Sequence, residues 1–162
     1  MRRVKPGPGQ ESVWDYPRPP RVEPSAKPVR VEFGSVVIAE SSRAWRVLET
    51  SHPPVYYIPP EDVRAGCLIR QAGGSFCEWK GRADYFDVSA GGKTAKSAAW
   101  SYPEPTTAFE PIRGYVAFYA SRVDACFVGD ERVEPQPGDF YGGWITRDVV
   151  GPFKGGPGTL GW

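Results

Sequence analysis

Apolar and polar residues alternate singly along much of this chain, which is the period of a half-buried β-strand. Val29, Val31 and Phe33 fall on one face and Arg30 and Glu32 on the other, followed by Gly34-Ser35 and then the apolar run Val36 to Ala39. Two such runs joined by Gly-Ser predict a β-hairpin. Further strands are predicted at Trp45 to Leu48, Val55 to Ile58, Ser75 to Val88, Lys93 to Tyr102, Tyr115 to Tyr119 and Val123 to Val128, with turns at Gly91-Gly92 and Gly129-Asp130. Helix is confined to short pieces. Pro60 to Arg64 begins well, with proline near the first turn and acids beside it, but Gly66 stops it; Thr107 to Ile112 is limited by Pro111. The pattern predicts a mainly β protein: one domain of folded-over antiparallel sheets with one or two short helices.

Before residue 29 the pattern changes. Prolines at positions 6, 8, 17, 19, 20, 24 and 28 disfavour helix and central strand and favour extended chain. Residues 1–28 therefore read as a proline-rich arm and 29–162 as the β domain. Trp14 and Tyr16 are placed to anchor the arm on the domain or on a neighbouring subunit, which would give a homodimer.

At 162 residues the chain is long enough to bury a real core without staples. Its formal charge is +1 with both signs interspersed, so no basic stripe marks a nucleic-acid partner. Three cysteines without a C-x-x-C pair signal neither a disulfide framework nor a four-cysteine zinc site, and a reducing, cytoplasmic setting is expected. The basic start lacks an apolar region after it, and no run is long enough to span a bilayer, so no membrane partner is expected. Neither a metal nor a cofactor is implied.

Two motif matches fail on context. Gly156 to Gly161 satisfies G-x-G-x-x-G, but that fingerprint needs a helix after it and only Trp162 follows. Gly92-Lys93-Thr94 ends like a phosphate loop, yet Asp87 stands where the first glycine belongs and the segment reads as a hairpin. Asp84 and Asp87 lie three apart on a strand and point to opposite faces, so they cannot share a metal without a bulge.

His52 is the only histidine, and Pro53 after it holds it extended. It is either a general base near neutral pH or a hydrogen-bonded structural residue. Cys77, in Phe76-Cys77-Glu78-Trp79-Lys80-Gly81, is either a nucleophile beside Lys80 and Trp79 or a small buried hydrophobe. Cys126 has nothing basic adjacent. The aromatics add the other signal: six tryptophans with glycine-rich neighbours exceed what packing demands, and a pocket lined by two or three of them is expected. The glycine- and aromatic-rich stretch from Phe140 to Trp162 suits close packing or ligand contact, with Lys154 the one cation among its glycines.

Whole motifs carry a resemblance. They are Leu48 to Pro59, Cys77-Glu78-Trp79-Lys80-Gly81, Ala99-Trp100-Ser101-Tyr102-Pro103, Val116-Ala117-Phe118-Tyr119, Phe140 to Thr146 and Val150 to Gly156. From about Trp14 to Trp162 the chain resembles the family catalogued as domain of unknown function 427. That family carries a nucleotidyltransferase-like tag and no established activity, and the quoted motifs contain no triphosphate-binding pattern. The resemblance implies a β-tent-like fold, similar to methionine-R-sulfoxide reductase B and the thalidomide-binding domain of cereblon. The paired C-x-x-C zinc ligands common in those relatives are missing here, so neither metal nor reductase activity carries over.

The expected site is a cleft between the Cys77 to Gly81 strand, the Trp100 strand and the Tyr141 to Trp144 segment, with His52 at its rim. Tyr57, Trp79, Lys80, Trp100, Tyr141, Trp144 and Lys154 are the expected contacts of an unknown small molecule. The alternatives are an enzyme with Cys77 as nucleophile and His52 as base, and a structural or interaction domain with a filled core.

Overall fold

The computed structural model describes all 162 residues. The protein is mainly β, with several small antiparallel sheets and almost no helix. One four-stranded sheet runs in the order Val116–Phe118, Lys93–Ser101, Gly81–Ala90, Leu68–Cys77. A second runs Glu131–Arg132, Ala125–Val128, Val29–Phe33, Val36–Ser41, and a three-stranded sheet runs Arg21–Pro24, Trp45–Leu48, Val55–Tyr57. No helix is long and apolar enough to cross a membrane.

Alternation decides which side chains meet in the middle. Val29, Val31 and Phe33 from one sheet, and Val88, Ala98 and Phe118 from the other, join a core cluster of 19 buried residues. The two sheets touch where the Gly34-Ser35 turn meets the Gly91-Gly92 turn. A side chain on Gly34 would run into the carbonyl of Ala90, and one on Gly91 into the carbonyl of Gly34. Both glycines also hold positive φ, +62° and +58°, so glycine is required there twice over.

The same alternation builds a second, smaller cluster of eight buried residues. On the strand Val55–Tyr57, Tyr56 and the following Ile58 turn into the large core while Tyr57 turns away from it. On Val116–Phe118, Val116 and Phe118 go to the core and Ala117 to the smaller cluster. This cluster is the floor of the site.

The structure corrects the expected strand from Ser75 to Val88. It is two strands, Leu68–Cys77 and Gly81–Ala90, joined by a turn at Glu78 to Lys80. Leu68 to Gly74 lacks apolar alternation because its strand is mostly exposed and interrupted by Gly73-Gly74, where the pairing register shifts. Both expected helices are short 3-10 segments, Pro60–Asp62 and Thr107–Ile112.

The proline-rich segment lies along the domain. Arg21–Pro24 forms the edge strand of the three-stranded sheet, where proline is tolerated, and Glu11–Ser12 pairs in parallel with Val149–Val150. Tyr16 is buried with Val13, Leu48 and Val149, while Trp14 donates to the Pro152 carbonyl at 2.9 Å and meets Trp162 edge-on. Both aromatic anchors are thus placed on the chain's own domain.

Trp144 is 1 % exposed, stacks on Tyr56 with ring centroids 5.2 Å apart, and donates its indole N–H to the Phe118 carbonyl at 3.0 Å. Trp144→Ala should therefore lower unfolding stability by about 3–5 kcal/mol. A urea melt showing a loss below about 1 kcal/mol would remove Trp144 from the core.

Candidate functional site

Ser75 and Cys77, Tyr85, Trp100 and Ala117 come from four adjacent strands and lie on one face of the sheet. The register sets this: Tyr85 sits opposite Trp100, and Trp100 opposite Ala117, so the large indole lies beside a methyl group and has room to lie over the sheet. Tyr102 and Tyr119 extend the face at the strand ends. Above it passes the segment from Phe140 to Gly143. A side chain on Gly142 would overlap the six-membered ring of Trp100, so glycine is what lets this segment close over the indole.

The result is a cavity of about 360 Å³ lined by Tyr57, Cys77, Trp79, Trp100, Tyr102, Tyr119 and Tyr141, with His52, Glu49, Glu78, Lys80 and Gln136 among the polar groups. Because Glu78 to Lys80 is a turn, successive side chains from Cys77 to Lys80 all reach the cleft. The face-sharing rule that would pair Cys77 with Trp79 on one strand does not apply there.

Trp100 donates its indole N–H to the Tyr57 hydroxyl at 3.2 Å, and the two rings meet edge-on. That bond uses a lone pair of the Tyr57 oxygen and leaves its proton without an acceptor in the protein. The Tyr102 hydroxyl has no partner at all, whereas Tyr85 pairs with Ser75 at 2.7 Å and Tyr119 donates to the Phe140 carbonyl at 3.0 Å. Burial pushes the phenols of Tyr57 and Tyr102 up, so both remain protonated donors.

His52 is held by Gln136, which is 2 % exposed. The Gln136 carbonyl oxygen accepts from the Gly143 N–H at 3.0 Å, and its amide nitrogen donates to the Lys154 carbonyl at 2.8 Å. A backbone N–H can only donate and a backbone carbonyl can only accept, so the amide has one orientation. Its second N–H lies 3.0 Å from Nδ1 of His52 and must be the donor there. Nδ1 is therefore the acceptor and the imidazole proton sits on Nε2.

Burial drives the His52 pKa down to about 4, with Lys154, Arg18 and Lys80 opposing a further positive charge. The Glu49 carboxylate, 3.5 Å from Nε2, favours the imidazolium. It is half-committed to Arg18, also at 3.5 Å, and does not outweigh burial and three cations. His52 is neutral at pH 7. It lies inside the site, 8 % exposed, and packs edge-on against Tyr141 at 4.7 Å.

Of the residues expected from sequence, His52, Tyr57, Cys77, Trp79, Lys80, Trp100 and Tyr141 are brought together. Trp144 is placed in the core, away from the cleft. Lys154 lies behind Tyr141, its ammonium 5.6 Å from that ring and donating to the Trp162 carbonyl at 3.1 Å. Glu49, Tyr102, Tyr119 and Gln136 are site residues that the sequence did not single out; Gln136 lies in a Glu-Pro-Gln-Pro-Gly loop with nothing to mark it. Cys67 and Cys126 are buried, which pushes both thiols up. Asp84 pairs with Arg70 and Arg82, and Asp87 with the Ser97 N–H and Lys96, so each carboxylate is neutralised separately.

Fold and site together define a class: a small mainly β domain whose sheet face, closed over by a glycine-aromatic segment, encloses a cleft of tyrosine and tryptophan rings around a neutral histidine. The chain belongs to the family described as domain of unknown function (DUF427), matched over residues 21–129. Gln136, Phe140, Tyr141 and Gly142 lie beyond that stretch and complete the cleft. Comparison with curated proteins gives no match.

The buried neutral histidine makes a pH prediction. Between its folded value of about 4 and the ordinary 6.5, the unfolded chain binds the proton and the folded one does not. Stability is then full above pH 6.5 and falls as pH drops toward 4, by up to about 3 kcal/mol. His52→Gln should flatten that slope in urea melts across the window. Because the chain has one histidine, nitrogen-15 NMR of the labelled imidazole reads its state directly. The expected spectrum has a protonated Nε2 and a bare Nδ1 at pH 7, and titration near 6.5 would refute the assignment.

Proposed function

We propose that this protein binds a small molecule and that the aromatic cleft is the binding site. The observation that carries this reading is the pair of phenol protons of Tyr57 and Tyr102, on largely buried residues that line the cleft, neither of which has an acceptor in the protein. A ligand site is a mostly apolar cleft with a few polar groups left free to fix the ligand's orientation. A cavity of about 360 Å³ falls within the range of small-ligand sites, ~300–1,000 Å³. A purely structural domain would fill this space or pair its donors internally.

The enzyme alternative is weaker. A cysteine nucleophile needs a base with a free lone pair, and the Nδ1 lone pair of His52 is spent on Gln136 while Nε2 carries the proton. His52 serves this site as a donor.

Native mass spectrometry of freshly purified full chain should show a retained small molecule. In the folded state iodoacetamide should label Cys77, which opens on the cleft, and spare the buried Cys67 and Cys126. Occupancy of the cleft should slow that labelling. Equal inertness of all three thiols, together with Cys77→Phe leaving mass and ligand retention unchanged, would count against the cleft as the site.

A further inference from the structure

Resting on the cleft as the binding site, we infer that it selects an uncharged, aromatic ligand carrying a hydrogen-bond acceptor, and that Gln136 sets this choice by holding His52 as a donor. The aryl and heteroaryl amides are the chemical class that fits.

Three donor protons reach the cleft without a hydrogen bond to the protein: the Nε2–H of His52 and the hydroxyls of Tyr57 and Tyr102. The Ser51 hydroxyl is the only buried side-chain polar atom left unpaired, so the unpaired His52 Nε2 and Tyr102 hydroxyl are open to the solvent of the cleft. Nε2 itself stands 3.5 Å from the Glu49 carboxylate, longer than a good N–H···O hydrogen bond, and an acceptor in the cleft can compete for its proton. A ligand lacking an acceptor leaves these donors desolvated and unpaired.

Charge then narrows the class. Glu49 and Glu78 among the lining residues are balanced by Lys80 and by Arg18, which stands 3.5 Å from Glu49. A cation would meet Lys80 in the cleft wall, with Arg18 and Lys154 close enough behind it to add to the burial that keeps His52 neutral. One aromatic face of the cleft already has a cation: the Lys80 ammonium lies 5.8 Å from the Tyr102 ring centroid. An anion would meet two carboxylates and find no arginine fork among the lining residues. A neutral ligand faces neither cost. The walls favour an aromatic ligand: Trp100 and Tyr119 pack against each other with centroids 4.6 Å apart and planes tilted by 49°, the Phe140 to Gly143 segment closes over the indole, and a ring entering the cleft meets ring faces and edges.

Gln136 acts through His52 and is a positioning residue. Its amide has one orientation because Gly143 must donate and Lys154 must accept. Without its N–H on Nδ1, the imidazole is free to move its proton and present a lone pair to the cleft instead.

The test uses benzamide, benzoate and benzamidine, three near-isosteric probes of charge zero, minus one and plus one, with toluene as the ring without an acceptor. Each is titrated into the full chain while the imidazole nitrogens of His52 are followed by NMR. Benzamide should bind about tenfold or more tightly than the other three and shift Nε2 rather than Nδ1. Tyr102→Phe should weaken benzamide several-fold and leave toluene unchanged. Gln136→Met should mix the two tautomers of His52 and shrink the preference for benzamide; should that variant fail to fold, Tyr102→Phe alone still decides. Benzoate or benzamidine binding as well as benzamide overturns the inference while keeping the cleft as a binding site. If no probe perturbs His52 at millimolar concentration, both readings fall.

Discussion

The Gln136 side chain offers one carbonyl and two N–H bonds to its surroundings, and the fold satisfies all three with three different segments. Gly143 belongs to the strip that closes over Trp100, Lys154 to the glycine-rich stretch behind it, and His52 to the loop after the Trp45–Leu48 strand. Lys154 adds its own N–H to the Ser51 carbonyl at 2.9 Å, and Trp144 donates to Pro54 at 2.8 Å, so the same three strips are laced by backbone bonds as well. A buried amide serves here because its donors and acceptor are fixed in direction. An apolar residue of equal size would fill the space and leave the orientation of His52 undecided.

The neutral imidazole follows from that arrangement. Protonating Nδ1 would set a donor against the Gln136 N–H, in a place already ringed by Lys154, Arg18 and Lys80. Elsewhere the chain handles charge differently. Asp62 pairs with Arg43, Asp124 with Lys93 and Glu11 with Arg46, each near the surface where one cation suffices. The cleft is the place where phenols, an imidazole and a thiol are gathered in a largely aromatic wall, and that contrast sets it apart from the rest of the surface.

Sheet geometry decides which aromatics reach that wall. Tyr56 and Tyr57 are neighbours in sequence, yet one stacks on Trp144 in the core and the other binds Trp100 at the cleft. Trp100 follows two alanines and precedes Ser101-Tyr102, Trp144 follows Tyr141-Gly142-Gly143, and their neighbours across the fold separate them further. Trp144 finds the Phe118 carbonyl for its indole N–H, while Trp100 finds a phenol beside open space.

Local pattern by itself determined the hairpin at Gly34-Ser35, the strands at Trp45–Leu48, Val55–Tyr57, Lys93–Ser101 and Ala125–Val128, and the mainly β class, since alternation and glycine turns act over a few residues. The family was legible too, because its motifs are long. The split of the expected Ser75 to Val88 strand at Glu78 to Lys80 was not, since an exposed, glycine-broken strand carries no apolar alternation to read. Nor were Gln136, Tyr102 and Glu49 as site residues, or the placement of Trp144 in the core. Those outcomes depend on which strands pair, in what register, and on which loops cross above them. Those contacts join positions 43, 84 and more residues apart, so their energies come from neighbours that no local window contains.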